Sequence, residues 1–132
     1  MSERNKQTMR ELWRAVAAHD FDAIGRCYHH DAVYHSAVEH RGRAAIVDYY
    51  RAYLGGFPDL RGEVELIVAE GDLVAHRARV SGTHKGEFMG APATGQQVDI
   101  HGMIMSRMVD GMIIEEWEAF DQLEIIKQLG LA

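Results

Sequence analysis

The 132-residue sequence predicts an α+β fold in which a curved antiparallel sheet wraps around N-terminal helices and encloses a pocket. Two observations carry that prediction. Apolar residues recur at helical spacing early in the chain and alternate at strand spacing from Glu63 onward. The later strands are joined by short glycine-containing turns, so helices precede hairpin-linked strands instead of alternating with them. A hydrophobic content of 47% in a chain of this length closes one core, which gives a single domain over residues 1–132 as the expectation.

Met9, Leu12, Trp13 and Val16 share one helical face, and the His19-Asp20 pair stops that helix and caps the next. Phe21, Ile24 and Tyr28 line a short second helix, after which DAVYHSAV is rich in strand formers. A third helix starts at Arg43 with Ile46, Tyr49, Tyr50, Tyr53 and Leu54 on its face, and the glycines and proline of GGFPDL end it. EVELIVAE alternates through Val64, Leu66 and Val68, and Gly71-Asp72 turns the chain back into LVAHRARVSGTH. KGEFMGAPATGQQ reads as a long loop before the strand VDIHGMIMSRMV. Asp110-Gly111 then turns the chain into MIIEEWEAF, and QLEIIKQLG ends it with Leu123, Ile125, Ile126 and Leu129 on an apolar helical stripe.

A net charge of -6, with acidic and basic residues interleaved, argues against nucleic acid or an anionic membrane as a partner. No apolar run reaches the roughly 18 residues of a membrane span. Cys27 is the only cysteine, so no internal disulfide forms, and MSERNKQTMRELW lacks the apolar core of a secretory signal; a cytoplasmic location is expected. There is no HExxH motif, cysteine pair or compact carboxylate cluster, so no metal site is expected.

The stretch EEWEAFDQLEIIKQLG places Asp121 where a strand becomes a helix. Asp121 could cap that helix, with Glu124 completing a capping box. Alternatively it projects into an apolar cavity as a proton-transfer group, with Trp117 and Ala119 on its strand face as the adjoining wall.

The segments GGFPDL, EGDLVAHRARVSGTHKGEFMGAPATGQQV and SRMVDGMIIEEWEAFDQLEIIKQLG together resemble the SnoaL-like polyketide cyclase family, from about His35 nearly to the C-terminus. GTHKGEFMGAPATG is the most specific piece, followed by the Asp-Gly turn with its E-x-W and aspartate. The resemblance implies a cone-shaped α+β barrel of the nuclear-transport-factor-two-like superfamily. It also implies ring closure by intramolecular aldol chemistry without metal or organic cofactor, with Asp121 at the family's catalytic aspartate position. Because the superfamily also holds isomerases, epoxide hydrolases and non-catalytic members, the fold alone does not settle function.

His101 is a second catalytic candidate. It faces the pocket if the hairpin loop spans Val109 to Gly111 and points away if the loop is Asp110-Gly111 alone. His35, in phase with Val33 on the first strand, is a third. His84, from the G-T-H pattern, either contacts substrate or holds the long loop. Phe88 is a lid or that loop's anchor. Met103 and Met105 are core or cavity lining, where thioethers would suit a bulky hydrophobic small molecule. Tyr49, Tyr50 and Tyr53 belong to a helix face from which one hydroxyl could reach the cavity mouth.

The leading functional expectation is a cofactor-independent cyclase acting on a polyketide-like carbonyl compound. An epoxide hydrolase using Asp99 and Asp121, a ketosteroid-isomerase-like enzyme and a non-catalytic binding module are the alternatives. A homodimer is expected, since an open sheet face needs a cover.

Overall fold

The computed structural model describes residues 2–131. Helix α1 (Ser2–Ala17) buries Met9, Leu12 and Val16, the face its spacing indicated. Asp20 caps α2 (Phe21–Arg26), its carboxylate accepting from the Ala23 amide at 3.0 Å. Tyr28 does not continue that helix. It opens strand β1 (Tyr28–His35), because pairing with the last strand satisfies its backbone and buries its side chain completely. The short β2 (Glu39–Arg41), which has no counterpart in the sequence pattern, follows and pairs with β1. Helix α3 (Arg43–Gly56) buries Ile46, Tyr50 and Leu54 and ends before Phe57-Pro58.

From there β3 (Arg61–Glu70), β4 (Leu73–Thr83), β5 (Gln97–Val109) and β6 (Met112–Phe120) form hairpin-linked strands, and α4 (Gln122–Gln128) closes the chain. The sheet runs β2-β1-β6-β5-β4-β3. All neighbours are antiparallel except β1 and β6, which are parallel. Since β2 and β3 stand at opposite ends without pairing, the curved sheet stays open; the barrel implied by the resemblance is corrected to an unclosed sheet. Its concave side packs against α1 and α3 in one apolar cluster around Met9, Val16, Tyr28 and Ile46. A second cluster around Phe57, Ala78, Ile100 and Leu129 lies nearer α4.

Two bulges decide which face each side chain takes. In β3 the register shifts between Val64 and Leu66, so the alternation expected through Val64, Leu66 and Val68 is broken, and Leu66 and Val68 are exposed on the convex side. At the β5–β6 turn, Asp110 and Gly111 adopt φ of 51° and 76° and form a two-residue loop. The register then shifts by one, with Arg107 opposite Glu115 while Met108 is opposite Ile113, which leaves Ile114 as an extra residue. Along β5, Val98, Ile100, Ile104, Ser106 and Met108 face the core, while Asp99, His101, Met103, Met105 and Arg107 face outward. Among the described residues no helix is long and apolar enough to cross a membrane.

Candidate active site

Between the concave face of the sheet and α3 lies a cavity of about 60 Å³, walled by Trp13, Tyr34, Tyr49, Tyr50, Tyr53, Leu60, Val80, Ile100, Phe120 and Ile125, with one carboxylate, Glu118. Three elements build it. The helical spacing of α3 points Tyr49, Tyr50 and Tyr53 inward together; β1 contributes Tyr34; β6 contributes Glu118 and Phe120 by strand alternation. Two glycines make the room. A side chain at Gly62 would collide with the Trp13 ring, and one at Gly102 with the ring of Phe120, its cross-strand partner.

Glu118 accepts hydrogen bonds from the hydroxyls of Tyr34 and Tyr49, each at 2.8 Å and each to a different carboxylate oxygen. Burial pushes its pKa above the ordinary carboxylate range, and the two hydroxyls pull it part of the way back. The phenols are held neutral: burial raises Tyr34 and Tyr49, and the neighbouring carboxylate adds to this. His40, half-buried on β2, packs its ring 4.3 Å from that of Tyr49, and burial lowers its pKa. Trp13 donates its indole N–H to Nε2 of His76 at 3.1 Å. His76 is buried inside the sheet, and burial lowers its pKa to about 4. This arrangement presents a proton-accepting carboxylate and fixed hydroxyl dipoles to an apolar space.

Behind Glu118, one strand repeat away on the same face, Glu116 is sealed from solvent. It accepts from Tyr28 at 2.5 Å and Ser106 at 2.6 Å, and Tyr28 bonds Tyr50 at 2.7 Å. Burial raises the Glu116 pKa to about 7 against the opposing effect of those two hydroxyls.

Of the residues expected at the site, Tyr49, Tyr50 and Tyr53 line this cavity, while Asp121, His101, His35, His84, Trp117, Phe88, Met103 and Met105 do not. Asp121 is exposed, and its carboxylate accepts from the Glu124 amide at 3.1 Å, the helix-capping geometry. The expectation that alternation carries it into an apolar wall is corrected: Trp117 and Ala119 share the outer face, and the strand ends at Phe120. His101 also lies outside, bonded to Glu65 at 2.9 Å, so the inward placement is replaced by the outward one. His35 is outside as well, stacked on Trp117 with centroids 5.6 Å apart and bonded to Glu115 at 2.7 Å. Met103 and Met105 are 58% and 46% exposed on the same convex face. Asp99, the carboxylate of the epoxide-hydrolase alternative, is engaged outside the cavity by the Arg79 guanidinium at 2.9 and 2.6 Å.

His84 is fully buried, stacks on Phe57 and bonds Thr94 at 3.0 Å, which ties both ends of the long loop together. Phe88 packs on Tyr53 and Phe57, with its Cβ over Gly56, and so anchors that loop on α3 without reaching the cavity. The residues that were missed are Glu116, Glu118 and Tyr34. Acidic positions flanking a tryptophan read as the solvated face, and only partner hydroxyls on other elements make their burial tolerable.

The profile of the SnoaL-like polyketide cyclase family matches residues 5–129. The chain belongs to the SnoaL-like polyketide cyclase family. Among solved structures, AclR of Streptomyces galilaeus, a proposed hydroxylase, is 34% identical and superposes with a TM-score of 0.88 over 100% of this chain and 99% of its own. IdmH of Streptomyces antibioticus, a proposed polyketide cyclase, is 32% identical with a TM-score of 0.83 over 96% of this chain and 98% of its own. An LEH-like epoxide hydrolase of M. tuberculosis, at 18% identity and a TM-score of 0.79 over 97% of this chain and 90% of its own, shares the fold. No curated protein gives a significant sequence match. Membership in the SnoaL-like family thus accompanies a cavity whose carboxylate is a glutamate on β6, while Asp121 caps α4 outside it.

Proposed function

We propose that the protein is a cofactor-independent acid–base enzyme acting on a small hydrophobic carbonyl compound, with ring closure of the polyketide-cyclase type as the reaction. The observation that carries this reading is Glu118, the carboxylate of the apolar cavity, held by Tyr34 and Tyr49. Ionised Glu118 takes a proton from the carbon next to a carbonyl. A phenol hydroxyl of the wall donates to the developing enolate oxygen, and the enolate attacks a second carbonyl of the same molecule. Asp121 serves as the cap of α4 in this scheme.

At about 60 Å³ the cavity is smaller than the roughly 300 Å³ of an ordinary ligand pocket, so a polyketide-sized substrate requires displacement of its wall. One wall that could be displaced is α4, which contributes Ile125 and has no buried residue within Gln122–Gln128; Gln128 ties it to the Asp99 backbone.

The test is deuterium wash-in at the α-carbon of cyclohexanone in D2O, followed by NMR, alongside ring closure of a linear poly-β-ketone. Glu118→Gln keeps the size and the acceptor for one tyrosine but removes the base. It is expected to lower both rates by about 10²–10⁴-fold, the usual worth of a general base. Unchanged exchange in a folded Glu118→Gln protein would remove Glu118 from the mechanism.

The outer face supports a further proposal, that a second copy of the chain covers it. Leu66, Val68, Met103 and Met105 line an apolar groove of about 460 Å³ there with Trp117. Around it lie Glu65, Arg77, Arg79, Asp99 and Arg107, charges of both signs that a two-fold axis can set against each other.

A further inference from the structure

A chain of hydroxyls connects the sealed carboxylate to the cavity. Glu116 Oε1 meets the Tyr28 hydroxyl, which meets the Tyr50 hydroxyl at 2.7 Å, and Tyr50 belongs to the wall that also carries Glu118. The other Glu116 oxygen is held by Ser106, whose hydroxyl also approaches the Met9 thioether. Glu116 is 1% exposed and makes no contact with the cavity itself. Burying a carboxyl here is costly, and an apolar residue would pack the same space, so the chain of donors calls for a reason.

We propose that Glu116 is a positioning group that sets the polarity of the Tyr50 hydroxyl at the cavity wall, through Tyr28, and thereby supplies a second proton to the reaction proposed above. Each phenol has one proton to donate. With Glu116 ionised, Tyr28 donates to Glu116 and Tyr50 donates to Tyr28, so Tyr50 offers the cavity only an acceptor. With Glu116 protonated, the carboxyl donates to Tyr28, Tyr28 donates to Tyr50, and the Tyr50 proton points into the cavity. A new alkoxide formed there takes the Tyr50 proton, Tyr50 takes that of Tyr28, and Tyr28 takes that of Glu116. One O–H bond forms on the product, and the carboxyl loses its proton. The proton removed from carbon sits meanwhile on Glu118. Its transfer to Glu116 after product release, through water entering the cavity and back along the same hydroxyls, restores both groups with no net change.

The groups facing Glu116 are Tyr28 and Tyr34 of β1, Ser106 of β5, Tyr50 of α3, the Cys27 thiol that follows α2 and, along its own strand, Glu118. Burial holds the phenols and the thiol neutral through the physiological range, while it raises Glu116 to about 7 and raises Glu118 above the ordinary carboxylate range.

The inference rests on Glu118 as the cavity base, yet it is tested on free protein without substrate. In protein carrying ¹³C at glutamate Cδ and tyrosine Cζ, the Glu116 signal is assigned by its loss in Glu116→Gln and the Tyr50 signal by its loss in Tyr50→Phe. Both signals are expected to titrate with one midpoint, at about 7. The Tyr50 titration at that midpoint is expected to vanish in Tyr28→Phe, which breaks the chain, and to persist in Glu118→Gln, which leaves it intact. A Glu116 signal that stays in one form from about pH 5 to 9, or a Tyr50 signal that does not follow it, overturns the inference in unmodified protein. So does coupling that survives Tyr28→Phe. Failure of the Glu118 reading shows separately, as unchanged deuterium wash-in in Glu118→Gln with the Tyr50 titration in place.

Discussion

Trp117 and Glu118 are adjacent on β6 and face opposite sides of the sheet: the indole stacks on His35 outside, and the carboxylate is bonded to Tyr34 and Tyr49 inside. Substitutions at the two positions therefore act on different properties. Trp117→Ala is expected to leave α-carbon deuterium exchange within about twofold of the parent while weakening self-association. Glu118→Gln is expected to do the reverse, and gel filtration beside the exchange assay separates the two.

Asp121 permits a second separation. Asparagine caps a helix about as well as aspartate, so Asp121→Asn should cost only a few tenths of a kcal/mol, while Asp121→Ala loses the bond to Glu124 and should cost about 1 kcal/mol. Urea unfolding measures both. Because the carboxylate is exposed, Asp121→Asn is also expected to retain exchange activity. A folded but inactive Asp121→Asn protein would return the proton transfer to Asp121.

Much of the fold was legible because it rests on periodicity and turn chemistry. The inward faces of α1 and α3, the Asp20 cap and the Asp110-Gly111 turn all appear where residue types place them. The site was not legible, for a physical reason: both faces of β5 and β6 carry apolar residues, so a period of two cannot say which face is inside. The extra residue Ile114 then breaks any register extrapolated from the turn. Trp117 and Met105 look like core, and Glu116 and Glu118 look like surface. Their true assignment depends on hydroxyls from β1 and α3, far away in sequence.

The tyrosines make a prediction about pH. Tyr34 and Tyr49 favour the ionised form of Glu118, so deleting either hydroxyl raises the Glu118 pKa further. A base must be ionised to work, which places the acid limb of the rate profile at the Glu118 pKa. Tyr49→Phe is expected to move that limb to higher pH, and Tyr34→Phe likewise. A limb that stays put or moves to lower pH would show that another group titrates.

Stability should carry two opposing signatures of burial. The folded-state pKa of Glu116 is raised from 4.5 to about 7, so between those values the folded state holds more protons than the unfolded one. Its contribution is therefore favourable at low pH and is lost as pH rises through about 7. His76 is depressed from 6.5 to about 4, so its neutral, indole-bonded form stabilises above 6.5 and that stability is lost as pH falls towards 4. Between about 4.5 and 6.5 the two slopes oppose each other. Glu116→Gln removes one of them, so the melting temperature of the variant relative to the parent should climb from pH 5 to pH 8. The full effect is on the order of 3 kcal/mol. A difference that is flat with pH would mean that Glu116 does not change protonation across this range.

The convex face gives the last prediction. Leu66 and Val68 are 65% and 67% exposed, and with Met103, Met105 and Trp117 they form one continuous apolar groove. Covering such residues contributes on the order of 1 kcal/mol each. In a two-fold pair the surrounding carboxylates and guanidiniums of one copy meet those of the other, and the groove is buried at the centre, where truncation and charge cost most. Met105→Glu puts an unpaired carboxylate at that centre. It should weaken association by about 3 kcal/mol, roughly 100-fold in Kd, without unfolding the protomer, since the side chain already faces outward in the single chain. Sedimentation equilibrium at micromolar concentration should show the parent as a dimer and Met105→Glu as a monomer with unchanged far-ultraviolet circular dichroism. A parent that sediments as a monomer removes the second copy from the proposal, and a Met105→Glu protein that still dimerises moves the contact to another face.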